Sequence, residues 1–167
     1  MIRTCKASDL DAVLRIWLDG NREAHGFIDA AYWLSHREEV RAAMAEAEVL
    51  IETEADTVRG FVGMTGDYLS GIFVNRRFRS EGIGRRLLQA VKASREFIYV
   101  HVYKKNWRAV EFYLREDFVL ASEGVDEATG ETEYVMIWDR TAAAAELLKN
   151  GKTGRQEAKD EDRFQRI

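Results

Sequence analysis

Arg79-Ser80-Glu81-Gly82-Ile83-Gly84 combines two glycines with flanking arginines, a composition suited to holding an anion. Glycines let a backbone approach a phosphate without interference from a Cβ. The apolar stretch Leu69 to Val74 precedes this turn, and an amphipathic pattern over 82 to 94 follows it, with Ile83, Leu87, Leu88 and Val91 on one face. The turn therefore opens a helix, whose first N–H groups lack internal partners and carry partial positive charge. Arg76, Arg77, Arg79, Arg85 and Arg86 crowd the same region, offset locally only by Glu81. The turn has neither the Gly-Lys-Ser/Thr of a nucleoside-triphosphate loop nor the third glycine of a dinucleotide fingerprint.

Other reactive side chains are few. His101 falls in the β-branched and aromatic run 97 to 103, where alternation puts Tyr99, His101 and Tyr103 on one face. An imidazole there could take a proton from an ammonium, or simply be satisfied at the sheet edge. Cys5 is the single cysteine and reads as an inert, buried thiol. The three histidines, His25, His36 and His101, lack metal-ligand spacing, so no metal is expected.

The elements that must position these residues follow from periodicity. Strands are expected at 2–6, 49–54, 58–65, 68–75, 97–103, 118–122 and 132–138. Helices are expected from Ser8 to Gly20, from Asp29 to about Glu46, over 82–94 and over 106–116. The order βααβββαβαββ, with short links at 55–56 and 66–67 and a crossover through 82–94, implies an α/β (α+β) domain. It would hold a single mixed, mostly antiparallel twisted sheet of about seven strands, flanked by helices on both faces. Residues 1–140 form one domain, and 141–167 a short helix and a charged, mobile tail. The 167 residues are 46% hydrophobic and 32% charged, with net charge −4, which argues against a nucleic-acid-binding surface. No membrane-spanning run or signal peptide is evident, and the expectation is a cytoplasmic protein.

Two segments carry a resemblance. Residues 74–84 resemble the acetyl-CoA signature of the GNAT superfamily of N-acetyltransferases, Arg/Gln-x-x-Gly-x-Gly/Ala after an apolar strand. Arg76 replaces a common proline, and Ser80 a common glycine. Asn106-Trp107-Arg108-Ala109-Val110-Glu111-Phe112-Tyr113, with Asp117-Phe118 beyond, is similar to the family's second motif. There Asp117 stands for a glycine in left-handed conformation, a role that Asp tolerates. The His25-Gly26-Phe27-Ile28 loop and Tyr32-Trp33 resemble small bacterial YiaC- and YjaB-like acetyltransferases, some of which act on protein lysines.

The resemblance implies a GNAT fold with splayed central strands, and acetyl transfer from acetyl-CoA to a primary amine in a ternary complex. The amine would belong to a protein lysine or N-terminus or to a small molecule, and the protein would be a monomer or homodimer. Ile72, Phe73 and Val74 would bind the pantetheine arm through backbone groups. Residues Arg79, Ser80, Glu81, Gly82, Ile83, Gly84 and Arg85 would hold the pyrophosphate, and Asn106 the arm further along. Tyr113 would be the general acid, against the alternative of a core tyrosine, and His101 the base. His25, Phe27 and Tyr68 would line the acceptor site, although ordinary packing explains them equally well. Two rivals stand beside this reading: a non-catalytic acetyl-CoA sensor, and a toxin-type relative acting on charged tRNA. Retention of Tyr113 and Asn106 disfavours the first, and net acidity the second.

Overall fold

The computed structural model describes residues 1–141, so the helix and tail expected beyond Thr141 lie outside the described residues. Seven strands form one sheet in the order β1-β2-β3-β4-β5-β7-β6. They are β1 (Ile2–Thr4), β2 (Glu48–Glu54), β3 (Thr57–Thr65), β4 (Tyr68–Val74), β5 (Phe97–Tyr103), β6 (Val119–Val125) and β7 (Thr132–Asp139). Every neighbouring pair is antiparallel except β4 and β5, which run parallel. The crossover between those two contains helix α4 (Ile83–Lys92). The mixed, mostly antiparallel sheet expected from periodicity is the one observed.

Two apolar layers cover the sheet. Helices α1 (Leu10–Ala24), α2 (Ala30–Ser35) and α3 (Arg37–Glu46) bury Leu14, Trp17, Trp33 and Met44 against Ile51 and Phe61. On the other face, α4 and α5 (Trp107–Arg115) bury Ile83, Leu87, Leu88 and Tyr113 against Val62, Val100 and Met136. The alternation of β5 is therefore divided between layers: Val100 and Val102 join the second, and Tyr103 the first.

Three elements depart from periodicity by more than a residue or two. Helix α1 continues past Gly20 to Ala24. Gly20 is needed for close approach, since a Cβ there would lie 2.7 Å from Cδ1 of Phe73. The expected second helix breaks at His36, whose Nδ1 lies 2.6 Å from the Tyr32 carbonyl oxygen, giving α2 and α3. Strand β6 runs on to Val125, through Gly124, because its ladder with β7 extends to Val125↔Thr132.

Candidate active site

The parallel pairing of β4 with β5 comprises only Tyr68↔Tyr99 and Leu69↔Val100. Beyond those residues the strands part. A bulge in β4 accompanies the separation: Gly63 faces Gly71 and Met64 faces Leu69, so Ser70 is an extra residue. The bulge changes which face β4 presents, since Leu69 packs in the second layer and Phe73 in the first. The buried Ser70 hydroxyl has no hydrogen-bond partner among the described residues.

Ladder phase decides which backbone groups face the opening. The Asn75 N–H donates to the Arg59 carbonyl at 2.8 Å, so bonding with β3 recurs at Phe73 and Gly71. The N–H and C=O groups of Ile72 and Val74 consequently point toward the gap with β5. Phe73 is committed to β3 by its backbone, and its ring stacks on Phe61.

A cleft of about 1170 Å³ fills the opening, bounded by the end of α1, β4, β5, and helices α4 and α5. Of the residues expected to bind the donor, line the acceptor site or do chemistry, all but Glu81 and Phe27 line it. Glu81 turns away to pair with Arg59. Phe27 packs edge-on against His25 and Tyr103.

The glycine turn has the expected local form. Ser80 and Gly82 have φ of 66° and 75°, and Gly82 is the N-cap of α4. No side chain among the described residues caps this terminus, leaving first-turn donors for an anion. Asn75 replaces the rigidity of a proline by accepting a hydrogen bond from the Arg77 N–H at 3.1 Å. The arginines are less free than their clustering implied. Arg79 pairs with Glu23 at 2.6 Å, Arg85 with Glu116 at 3.6 Å, and Arg86 with Glu52 at 2.6 Å. These acids come from α1, β2 and the end of α5, where no local pattern could connect them to the turn.

Tyr113 is fixed by the way α5 ends. The Phe118 N–H donates to the Tyr113 carbonyl and the Asp117 N–H to that of Leu114, while Asp117 adopts φ 66°. That is a Schellman closure, completed by packing of Phe118 on the Tyr113 ring with centroids 5.2 Å apart. Burial pushes the Tyr113 hydroxyl well above the ordinary phenol range, which keeps it protonated. Its ring lines the cleft and is only 5% exposed.

Asn106 belongs to a relay that joins two distant segments. Asn21 Nδ2 donates to the Trp17 carbonyl at 3.0 Å, and Asn21 Oδ1 lies 3.0 Å from His25 Nδ1. His25 Nε2 in turn lies 3.2 Å from Asn106 Nδ2, and Asn106 Oδ1 accepts from the Ala109 N–H. These contacts are all satisfied when His25 is neutral with its proton on Nδ1. Buried beside the rings of Phe27, Trp33 and Tyr103, its pKa is pushed down to about 4. The histidine thus holds α5 to the end of α1. Asn21, buried in α1, carried no signal in the sequence.

A pH dependence follows from His25. In the unfolded chain an imidazole titrates near 6.5. Between pH 6.5 and 4 the unfolded state binds more protons, so stability falls as pH falls; the contribution is intact above 6.5 and gone below 4. The loss amounts to about 3 kcal/mol. Thermal melts across this window should fall less steeply for His25→Gln than for the wild type. Equal slopes would assign the proton uptake to other groups.

His101 meets Glu133 on the neighbouring strand, with Nδ1 3.2 Å from Oε1. The rings of Tyr68 and Tyr99 flank it at 5.6 and 6.3 Å. Glu133 also lines the cleft, and only its place on the inward face of β7 could have drawn attention to it.

Comparison with known proteins agrees with this geometry. The model of the acetyltransferase (GNAT) domain matches residues 20–132. The chain belongs to the GNAT family. It is 33% identical over 140 residues to the peptidyl-lysine N-acetyltransferase YiaC of Escherichia coli (strain K12), covering 83% of this chain and 96% of that protein. Identity to the peptidyl-lysine N-acetyltransferase YjaB of Salmonella typhimurium is 26%, covering 70% of this chain and 81% of that one. The solution structure of apo YjaB from Escherichia coli superposes with a TM-score of 0.74 at 23% identity, covering 83% and 96% of the two chains. A second GNAT-like fold is yncA from Salmonella typhimurium, solved with acetyl-CoA, with a TM-score of 0.59 at 14% identity over 84% and 93% of the chains. This GNAT protein is an N-acetyltransferase. Among its described residues no helix is long and apolar enough to cross a membrane.

Proposed function

We propose that the enzyme moves acetyl from acetyl-CoA to a primary amine, with the ε-amine of a protein lysine as the first acceptor class to test. The observation that carries this reading is the open β4–β5 splay, which leads directly to an uncapped helix N-terminus. That arrangement suits a donor with an extended amide-bearing arm and a pyrophosphate. Backbone groups of Ile72 and Val74 would bind the arm as an added strand does, and first-turn N–H groups from Gly82 to Arg85 the pyrophosphate. Arg79 would exchange its exposed partner Glu23 for phosphate oxygen at small cost, because such pairs are weak. Asn106, fixed by His25, would bond the arm beyond the thioester.

Acetyl-CoA would supply an activated acyl carbon and a thiolate leaving group. His101 takes one proton from the entering ammonium, making its nitrogen nucleophilic. A backbone N–H at Val74 or nearby stabilises the oxyanion as the N–C bond forms. As the C–S bond breaks, the Tyr113 hydroxyl gives its proton to sulfur, and the second proton lost by the amine nitrogen restores it. One proton per turnover leaves through His101. No covalent acetyl-enzyme is required, and direct transfer in a ternary complex suffices. The lysine assignment is supported by the names of YiaC and YjaB, which are peptidyl-lysine N-acetyltransferases.

Thiol release should be compared across lysine peptides, N-terminal peptides, polyamines, amino acids and aminoglycosides. The expected result is a kcat/KM for a lysine peptide at least tenfold above that for any small amine. A higher value for a small amine would reassign the acceptor while leaving the transferase chemistry intact.

A further inference from the structure

Glu133 has no place in either motif, yet its carboxylate is directed into the cleft at the one histidine that can act as base. Both side chains are deeply buried, His101 at 12% exposure and Glu133 at 10%. They lie on adjacent antiparallel strands, β5 and β7. Tyr103 is the direct partner of Glu133, so His101 is its diagonal neighbour on the same face. The contact is from Nδ1 to Oε1, which leaves Nε2 without a partner among the described residues.

We propose that Glu133 is the positioning residue for His101, an inference that rests on reading His101 as the base. Its carboxylate accepts the Nδ1–H, fixes the tautomer with the lone pair on Nε2, and stabilises the imidazolium that forms when the ammonium gives up its proton. The proton moves from the amine nitrogen to Nε2 and later to solvent, and none passes to Glu133. Among the described residues the groups in contact with the ring are Tyr68 from β4, Tyr99 from β5 and Glu133 from β7, of which Glu133 is the charged one. Lys105 and His25 line the same cleft, and His25 is held neutral by burial. A carboxylate beside the ring accepts the Nδ1–H and balances the charge that the ring acquires, and a neutral amide of the same shape supplies no such charge.

The test is the pH dependence of kcat/KM for acetyl transfer in wild type, Glu133→Gln, His101→Ala and the double variant, with acetyl-CoA affinity and melting temperature measured alongside. Glu133→Gln should move the acid limb to lower pH and lower the plateau roughly tenfold, leaving acetyl-CoA affinity unchanged. His101→Ala should abolish the limb, and Glu133→Gln should then add no further loss. If His101→Ala removes the limb while Glu133→Gln moves neither limb nor plateau, Glu133 is not the positioning residue and His101 stands as base. If the limb survives His101→Ala, the base is another group and this inference falls with that reading. A tenfold loss from Glu133→Gln that persists in the His101→Ala background would give Glu133 a role independent of the histidine and also overturn the proposal.

Discussion

Tyr113→Phe should reduce turnover by roughly 100- to 10,000-fold, the usual worth of a positioned general acid, while acetyl-CoA affinity stays within about twofold. The ring is retained, so the contact with Phe118 and the closure of α5 survive. What disappears is one hydroxyl, buried, facing the cleft and held protonated by its surroundings. A thiolate must otherwise leave uncompensated or take its proton from water. The loss should therefore appear in kcat and kcat/KM equally, as expected of a group that acts only as the C–S bond breaks. Calorimetry gives the affinity and thiol release the turnover. Turnover within threefold of wild type would return Tyr113 to the hydrophobic core and require another acid.

Gly82→Val should weaken acetyl-CoA binding by roughly 10- to 100-fold, the equivalent of one or two charge-assisted hydrogen bonds. Gly82 has φ of 75°, where a β-branched side chain costs about 1–2 kcal/mol. The added Cβ would also lie 3.2 Å from Nη1 of Arg86, which donates to the Glu81 carbonyl and steadies the same turn. Relief of both conflicts requires rotation of the peptides whose N–H groups face the anion site. Direct titration of acetyl-CoA checks this, and circular dichroism checks that α4 persists. Unchanged affinity in a folded variant would show that the turn is not where the donor's phosphates bind.

The general form of this protein was legible in the sequence because its determinants are local. Strand periodicity, the amphipathic 82–94 segment and the crossover it implied led to the right sheet, and the left-handed turn at Asp117 followed from the resemblance of the second motif, where Asp117 stands for a glycine. Errors arose where tertiary contact overruled a local rule. Gly20 looked like a helix stop, but it lies inside α1 to admit Phe73. The arginine cluster looked unpaired because Glu23, Glu52 and Glu116 reach it from elsewhere in the fold. Glu133 carried no signal because its contact, His101, lies 32 residues away, and Asn21 because the link from its neighbour His25 to Asn106 spans 81 residues. The bulge at Ser70 was equally hidden, since alternation through β4 gives no sign of the extra residue.

The splay between β4 and β5 as donor site is the centre of this account, and amide signals report on it directly. Acetyl-CoA should be titrated into isotopically labelled enzyme while backbone N–H resonances are followed. Large shifts are predicted for Ile72, Val74 and Gly82 to Arg85, with strand β1 at the far side of the sheet unaffected. Saturable binding that leaves Ile72, Val74 and the α4 terminus unperturbed, or no binding at millimolar acetyl-CoA, would contradict it.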